Sequence, residues 1–141
     1  MMHTILGLLL FMLFASISLL HFYWAFGGAL GLNYALPTTD IGERVINPSR
    51  LATLVVSVGL LGFASFYLIK IGFLTNTLPQ VLLNYAGWFL SFVFIFRAIG
   101  DFKYVGFFKK ITTTTFAEFD TKYFSYISLG IGVLAVLIEL I

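Results

Sequence analysis

Four long apolar runs, separated by shorter polar segments, dominate the sequence. They cover approximately residues 4–32, 48–74, 78–101 and 116–139. A transmembrane helix needs ~20 predominantly apolar residues, so each run is long enough to cross a bilayer. The chain is 60% hydrophobic and only 10% charged, and 141 residues cannot bury so much apolar surface in a water-soluble fold. The sequence therefore predicts a single-domain, all-α membrane protein: an antiparallel bundle of four transmembrane helices.

Lysine and arginine are distributed unevenly around these runs. Four spans put both termini on one side of the bilayer and the two charged connectors, residues 33–50 and 97–122, on the other. The connector side carries seven of the eight basic residues: Arg44, Arg50, Arg97, Lys103, Lys109, Lys110 and Lys122. Only Lys70 belongs to the opposite side, where it can snorkel to the headgroups. The positive-inside rule therefore predicts cytoplasmic connectors and external termini.

Helix starts and close neighbours are also encoded locally. Asn47-Pro48 reads as a cap followed by a first-turn proline, while Thr77 with Gln80 and Thr115 with Glu118 have capping-box spacing. The turn at residues 75–77 is short, which predicts that the second and third spans are antiparallel neighbours.

Small residues recur at helical spacing in every span. Such residues let helix backbones approach each other in lipid, where the hydrophobic effect does not drive helix association. The predicted packing stripes are Ala15, Ser18, Ala25 and Gly28; Ala52, Gly59 and Gly62; Asn84, Gly87, Ser91 and Ala98; and Ser125, Ser128, Gly132, Ala135 and Glu139.

The first span carries His21, with Trp24 one turn later and Gly28 one turn beyond that. Ionisable residues inside spans are costly and usually face the protein interior. His21 is therefore either a proton carrier or ligand contact, or a neutral side chain bonded to a neighbouring helix. Trp24 is interpreted as an interfacial anchor, and Gly28 as a point of close approach.

Arg97 lies at the end of the third span and needs a carboxylate partner near the acyl boundary. Asp101, four residues later, and Asp120 are the two candidates. We favour a structural ion pair over catalysis. Because all these groups belong to the connector end, the topology predicts one polar pocket formed by His21, Trp24, Gly28, Arg97, Asp101 and Asp120.

Basic and aromatic residues alternate in the second connector. This pattern suits an anionic membrane surface, with lysines at the headgroups and rings at the acyl boundary. The predicted anchor consists of Lys103, Tyr104, Phe107, Phe108, Lys109 and Lys110.

Several chemistries find no support in the sequence. There are no cysteines, which excludes disulfides, thiolate metal sites and dithiol redox chemistry. The formal charge of +2 gives no indication of a nucleic-acid partner. No nucleotide loop, metalloprotease motif or nucleophile elbow is present. A metal site built from His21, Asp101 and Asp120 has too few ligands to be favoured, so we predict no metal and no cofactor.

Three segments carry a resemblance to a known family. They are residues 21–28 (HFYWAFGG), residues 97–109 (RAIGDFKYVGFFK), and Phe116 with Asp120-Thr121. With these segments the chain resembles the small bacterial membrane proteins grouped as domain of unknown function 3995. The resemblance implies a four-helix membrane protein and no particular activity. A Tyr-Ser-Pro segment is expected after Asp-Thr, but the chain lacks that proline, which predicts a less kinked fourth helix.

No catalytic constellation is complete, so we favour a non-enzymatic accessory or scaffold protein of the cell envelope. It would be a multi-pass protein of the bacterial inner membrane, in contact with anionic lipid and with a membrane protein partner or a second copy of itself. One alternative is a binder or enzyme for an amphiphilic lipid or isoprenoid, held in the predicted pocket. The other is an oligomeric carrier of protons or small solutes.

Overall fold

The computed structural model describes residues 1–75 and 77–141, and this part of the chain is built from helices. Four of them are long and apolar enough to cross a membrane, as the sequence predicts. These are α1 (Met2–Ala25), α3 (Arg50–Lys70), α4 (Gln80–Ile99) and a last helix, Thr115–Leu140. The last helix comprises α5 (Thr115–Phe119), one π-helical turn (Asp120–Phe124) and α6 (Ser125–Leu140), and a short α2 (Leu32–Ala35) lies in the first connector.

The first helix is shorter than the apolar run that encodes it. It ends at Ala25 and not near residue 32. Gly27 follows with a φ of 98°, a left-handed conformation that glycine adopts readily and that ends the helix. The rest of the run folds back as an irregular segment leading into α2.

The middle helices are also trimmed at their ends. The second span begins at Arg50 and ends at Lys70, inside the predicted limits of 48 and 74. The third runs from Gln80 to Ile99 and does not reach residue 101. The last helix, by contrast, matches its predicted limits of 116 and 139 to within one residue.

Two of the predicted caps are displaced by one or two residues. Ser49, and not Asn47, caps α3 by accepting the amide hydrogen of the residue three positions later at 3.1 Å. Thr114, and not Thr115, does the same for α5, also at 3.1 Å. At the start of α4, Pro79 occupies the cap position, and no side chain of the described residues accepts a capping hydrogen bond there. Asn76, in the predicted turn, lies outside the described residues.

The helices form two close pairs, α1 with α3 and α4 with α6. Each pair is joined by one of the charged connectors, and α1 and α6 provide further contact between the pairs. The second and third spans are not one of these close pairs, and their arrangement as antiparallel neighbours stays a prediction. A short connection makes two helices antiparallel, but packing complementarity decides which ones approach closely.

Small residues line the close pair of α4 and α6, as predicted. Gly87 and Ser91 of α4 and Gly132 and Ala135 of α6 are buried. The backbone of Gly132 lies so close to α4 that an added Cβ would be only 2.7 Å from a side-chain carbon of Ile95. This seam follows the glycine and serine spacing of the sequence.

The predicted stripe on the second span is wrong. Gly59 and Gly62 face open space: apart from the backbone of their own helix, no described residue lies within 4 Å of an added Cβ. The buried face instead contains Ser57, Ala64 and Tyr67. Ser57 accepts a hydrogen bond on its carbonyl from the Ser18 hydroxyl of α1 at 2.8 Å.

Aromatic side chains fill the space between the two pairs. Phe14 of α1 stacks on Tyr67 of α3, with 5.7 Å between ring centroids, and meets Phe94 of α4 edge-on at 5.1 Å. Large rings at the centre demand a matching bulky face on α3, which explains why its glycines point outward.

Candidate functional site

Asp120 is the centre of the connector end of the bundle, and its side chain is fully buried. One carboxylate oxygen accepts a hydrogen bond from Arg97 Nη2 at 2.8 Å. The other accepts from the Gly106 amide at 2.8 Å, from Lys109 Nζ at 3.1 Å and from Ser125 Oγ at 3.1 Å. One side chain thus joins the end of α4, the second connector and the start of α6.

The helix around Asp120 is widened by one π-helical turn. The turn closes where the Ser125 amide donates to the Asp120 carbonyl. The Ser125 hydroxyl donates to the Asp120 carboxylate. Single π turns inside α-helices are frequent at functional positions. The irregularity occurs without the proline that the family resemblance led us to expect.

Lys109 was predicted to belong to the membrane anchor, and this prediction is wrong. Its side chain is 1% exposed, so it cannot reach the lipid headgroups. Its ammonium donates to the Gly106 carbonyl at 2.9 Å, to the Thr121 hydroxyl at 2.5 Å and to the Asp120 carboxylate. All three of its hydrogens therefore have acceptors within the protein.

The other members of the predicted anchor divide into packed and exposed side chains. Phe107 packs edge-on against Tyr126 of α6, with 4.9 Å between centroids. The Lys103 ammonium lies 4.9 Å above the ring of Tyr104. Three members remain exposed and available to a membrane surface: Lys103, Phe108 and Lys110. Their role as an anchor stays a prediction.

Asp101 is not the partner of Arg97. Its carboxylate accepts the amide hydrogens of Lys103, Tyr104 and Val105 at 2.9, 2.7 and 2.9 Å, and so closes a tight loop. Partial burial opposes ionisation of the Asp101 carboxyl, but these backbone donors prevail and lower its pKa. Because α4 ends at Ile99, Asp101 no longer shares a helical face with Arg97.

Two glycines bring the connector back against the end of α4. Gly100 and Gly106 have φ values of 97° and 88°, and their backbones are in direct contact. The Phe107 amide then donates to the Ala98 carbonyl at 2.8 Å. This folded return places the Gly106 amide and carbonyl beside Asp120 and Lys109.

His21 and Trp24 form a separate local contact on α1. The His21 Nδ1 hydrogen is donated to the Ile17 carbonyl at 2.8 Å, within the same helix. The two rings meet edge-on with 4.9 Å between centroids. Trp24 Nε1 donates to the Leu30 carbonyl at 2.8 Å, so the indole holds the segment that follows the helix.

The six residues of the predicted pocket therefore fall into distinct sets of contacts. Gly28 lies against the ring of Tyr23, five residues earlier in the sequence. In residues 1–75 and 77–141, no hydrogen bond or ion pair joins His21 to Arg97, Asp101 or Asp120. A single pocket containing all six stays a prediction.

A polar cleft of about 610 Å³ lies elsewhere at this end, between the two connectors. Asn33, Arg44 and Thr114 are among its lining residues, and Arg44 Nη2 donates to Asn33 Oδ1 at 2.6 Å. Beside it, Tyr34 of α2 stacks on Phe119 of α5 at 4.4 Å. Nothing in the sequence spacing pairs these two connectors, so the cleft was not predicted.

A second buried ion pair lies at the opposite end of the bundle. Lys70 Nζ and Glu139 Oε2 are 2.7 Å apart, and their side chains are only 6% and 2% exposed. The prediction that Lys70 snorkels to the headgroups is therefore wrong. Glu139 Oε1 and the Tyr67 hydroxyl are buried without a hydrogen-bond partner among the described residues. The only signal in the sequence was that both charges end spans on the same side.

These features show which class of protein this chain belongs to. Four apolar helices with buried, paired charges at both ends make this a small multi-pass membrane protein. The described residues contain no group of histidines and carboxylates that could hold a metal ion. The chain belongs to the family described as Protein of unknown function (DUF3995), whose model matches residues 14–135. No curated protein and no solved structure matches it.

Proposed function

We propose that this protein is a non-enzymatic accessory or scaffold protein of the bacterial inner membrane, with both charged connectors in the cytoplasm. The observation that carries the proposal is the hydrogen bonding of Asp120, which binds Arg97, Gly106, Lys109 and Ser125 at once. Such an arrangement gives the second connector a fixed shape, as a protein that presents a surface to a partner requires.

The two aspartates nearest Arg97 are already engaged in structural bonds. A general base must be free to take a proton from a substrate. Asp120 holds four donors and Asp101 holds three amides, so neither carboxylate is free in this sense. The alternative of an amphiphile-binding enzyme needs His21 and Arg97 to act on one ligand, and no contact between them supports it.

The charge distribution supports the cytoplasmic orientation. Seven of the eight basic residues belong to the connector end. The eighth, Lys70, is neutralised by Glu139 at 2.7 Å. The rule counts lysine and arginine and gives little weight to carboxylates, so the ratio of seven to one is what favours cytoplasmic connectors.

Cysteine labelling tests the orientation, since the native chain has no cysteine. Thr77→Cys and Thr112→Cys introduce single thiols at exposed positions on opposite ends of the bundle. In intact spheroplasts, a membrane-impermeant maleimide should label Thr77→Cys. Thr112→Cys should react only after permeabilisation. The reverse pattern would show that the connectors lie outside.

Complementation of a deletion strain tests the non-enzymatic role. The double variant His21→Ala/Asp101→Asn should restore envelope integrity as wild type does, scored as resistance to detergent and antibiotics. Gly87→Leu should fail, because any side chain there would overlap the Glu139 carboxylate. Membrane levels of each variant are measured by immunoblot. Loss of complementation by the double variant at normal membrane level would favour catalysis or ligand binding instead.

A further inference from the structure

The buried cluster at the connector end carries an uncompensated positive charge. It contains two cations, Arg97 and Lys109, and one carboxylate, Asp120. Asp120 already has four donors, and all three hydrogens of Lys109 have acceptors within the protein. The surplus charge and the unfilled hydrogen-bonding capacity therefore both reside on Arg97.

Arg97 uses only a small part of its guanidinium. Nη2 donates to Asp120, whereas Nη1 is buried without a hydrogen-bond partner among the described residues. The side chain is still 32% exposed; Nη1 contributes nothing to that exposure, whereas Nε is not buried and has no hydrogen-bond partner among the described residues. A guanidinium carries five hydrogens in a planar fork, and that fork matches the oxygens of a phosphate.

The surroundings of Arg97 indicate which kind of anion can reach its exposed part. Arg97 lies in the last turn of α4, where an apolar span meets the polar connector. Its neighbour Phe96 is exposed, as are Phe102 and Phe108 of the connector. Exposed rings beside a cation are typical of the boundary between acyl chains and headgroups.

We propose that Arg97 binds the phosphate group of an anionic phospholipid. The phosphodiester would accept hydrogen bonds from Nε and from the Nη2 hydrogen that Asp120 does not hold, and it would neutralise the surplus charge of the cluster. Bidentate, charge-assisted hydrogen bonds are the strongest that such a headgroup can make. The exposed lysines nearby attract anionic lipid only diffusely, whereas Arg97 defines a specific position.

Native mass spectrometry of the full chain in a non-ionic detergent tests this proposal. Wild type is titrated with phosphatidylglycerol, with phosphatidylcholine of the same acyl chains, and with sodium phosphate. We expect phosphatidylglycerol to bind ~10-fold more tightly than phosphatidylcholine, and sodium phosphate at equal concentration not to compete. Equal binding of the two lipids would overturn the proposal. Competition by free phosphate would instead assign the site to a soluble anion and would also overturn it.

Two variants separate a specific site from general surface charge. Arg97→Lys keeps the charge and a partner for Asp120 but removes the planar fork, and it should bind phosphatidylglycerol ~10-fold more weakly than wild type does. Lys110→Gln removes one exposed charge from the same connector and should bind phosphatidylglycerol as wild type does. Unchanged phosphatidylglycerol binding in Arg97→Lys, or an equal loss in Lys110→Gln, would contradict the proposal. If Arg97→Lys does not fold, equal binding of the two lipids to wild type would still overturn it.

Discussion

Asp120→Ala is expected to destabilise the protein by ~3–5 kcal/mol, because it leaves two buried or partly buried cations without a counter-ion. Arg97 and Lys109 would lose their shared carboxylate, and the Gly106 amide would lose its acceptor. Neither cation has another carboxylate within reach in the described structure. The second connector should therefore detach from the end of α4.

Unfolding in mixed micelles of a mild detergent and dodecyl sulfate measures this effect. Asp101→Ala is the matched control, because that carboxylate receives three donors, against four for Asp120, but lies exposed in the loop. Its loss should cost ~1 kcal/mol, the typical value for losing a local cap. Limited proteolysis of residues 100–114 should be accelerated only in Asp120→Ala. Similar stabilities for the two variants would mean that Asp120 does not organise this end.

The four spans could be predicted because the signal for each lies within a single stretch of sequence. An apolar run longer than the bilayer core requires no knowledge of its neighbours. The need of Arg97 for a carboxylate was predictable for a similar reason, from the cost of burying a guanidinium. The small-residue seam between α4 and α6 was predictable as well, since Gly87, Ser91 and Gly132 all lie on buried faces.

The choice of partners was not predictable, because it depends on where the chain reverses. Asp101 and Asp120 were equal candidates for Arg97 until the positive φ of Gly100 ended α4 and turned Asp101 into the loop. Lys109 and Lys110 are neighbours of identical type, yet only Lys109 is buried. That difference arises from the contact of the connector with the π turn, which no local pattern encodes.

The outward glycines of α3 illustrate the same limit within a span. Periodicity identifies a stripe of small residues, but it does not say whether another helix covers it. Gly59 and Gly62 form such a stripe and remain uncovered in this chain. The face that does pack is selected by Phe14, whose ring requires the bulk of Tyr67 opposite.

Glu139→Met is the second change expected to have a large effect, destabilising the bundle by ~3 kcal/mol. It would leave the Lys70 ammonium, whose side chain is only 6% exposed, without a partner. The substitution preserves the length of the side chain beside Gly87, so the expected loss comes from the stranded charge and not from a cavity. Unfolding in mixed micelles again provides the measurement.

The double variant Lys70→Met/Glu139→Met shows whether the ion pair stabilises the fold relative to two apolar side chains at the same positions. Removing both charges also removes the stranded cation, so the double variant should regain most of the lost stability, with a coupling energy of ~2 kcal/mol. Because Glu139 Oε1 already lacks a donor, the pair is incompletely satisfied and its replacement by apolar side chains should cost little. If the double variant were as unstable as the sum of both single variants, the two charges would act independently, and the 2.7 Å contact would contribute nothing to the closure of this end.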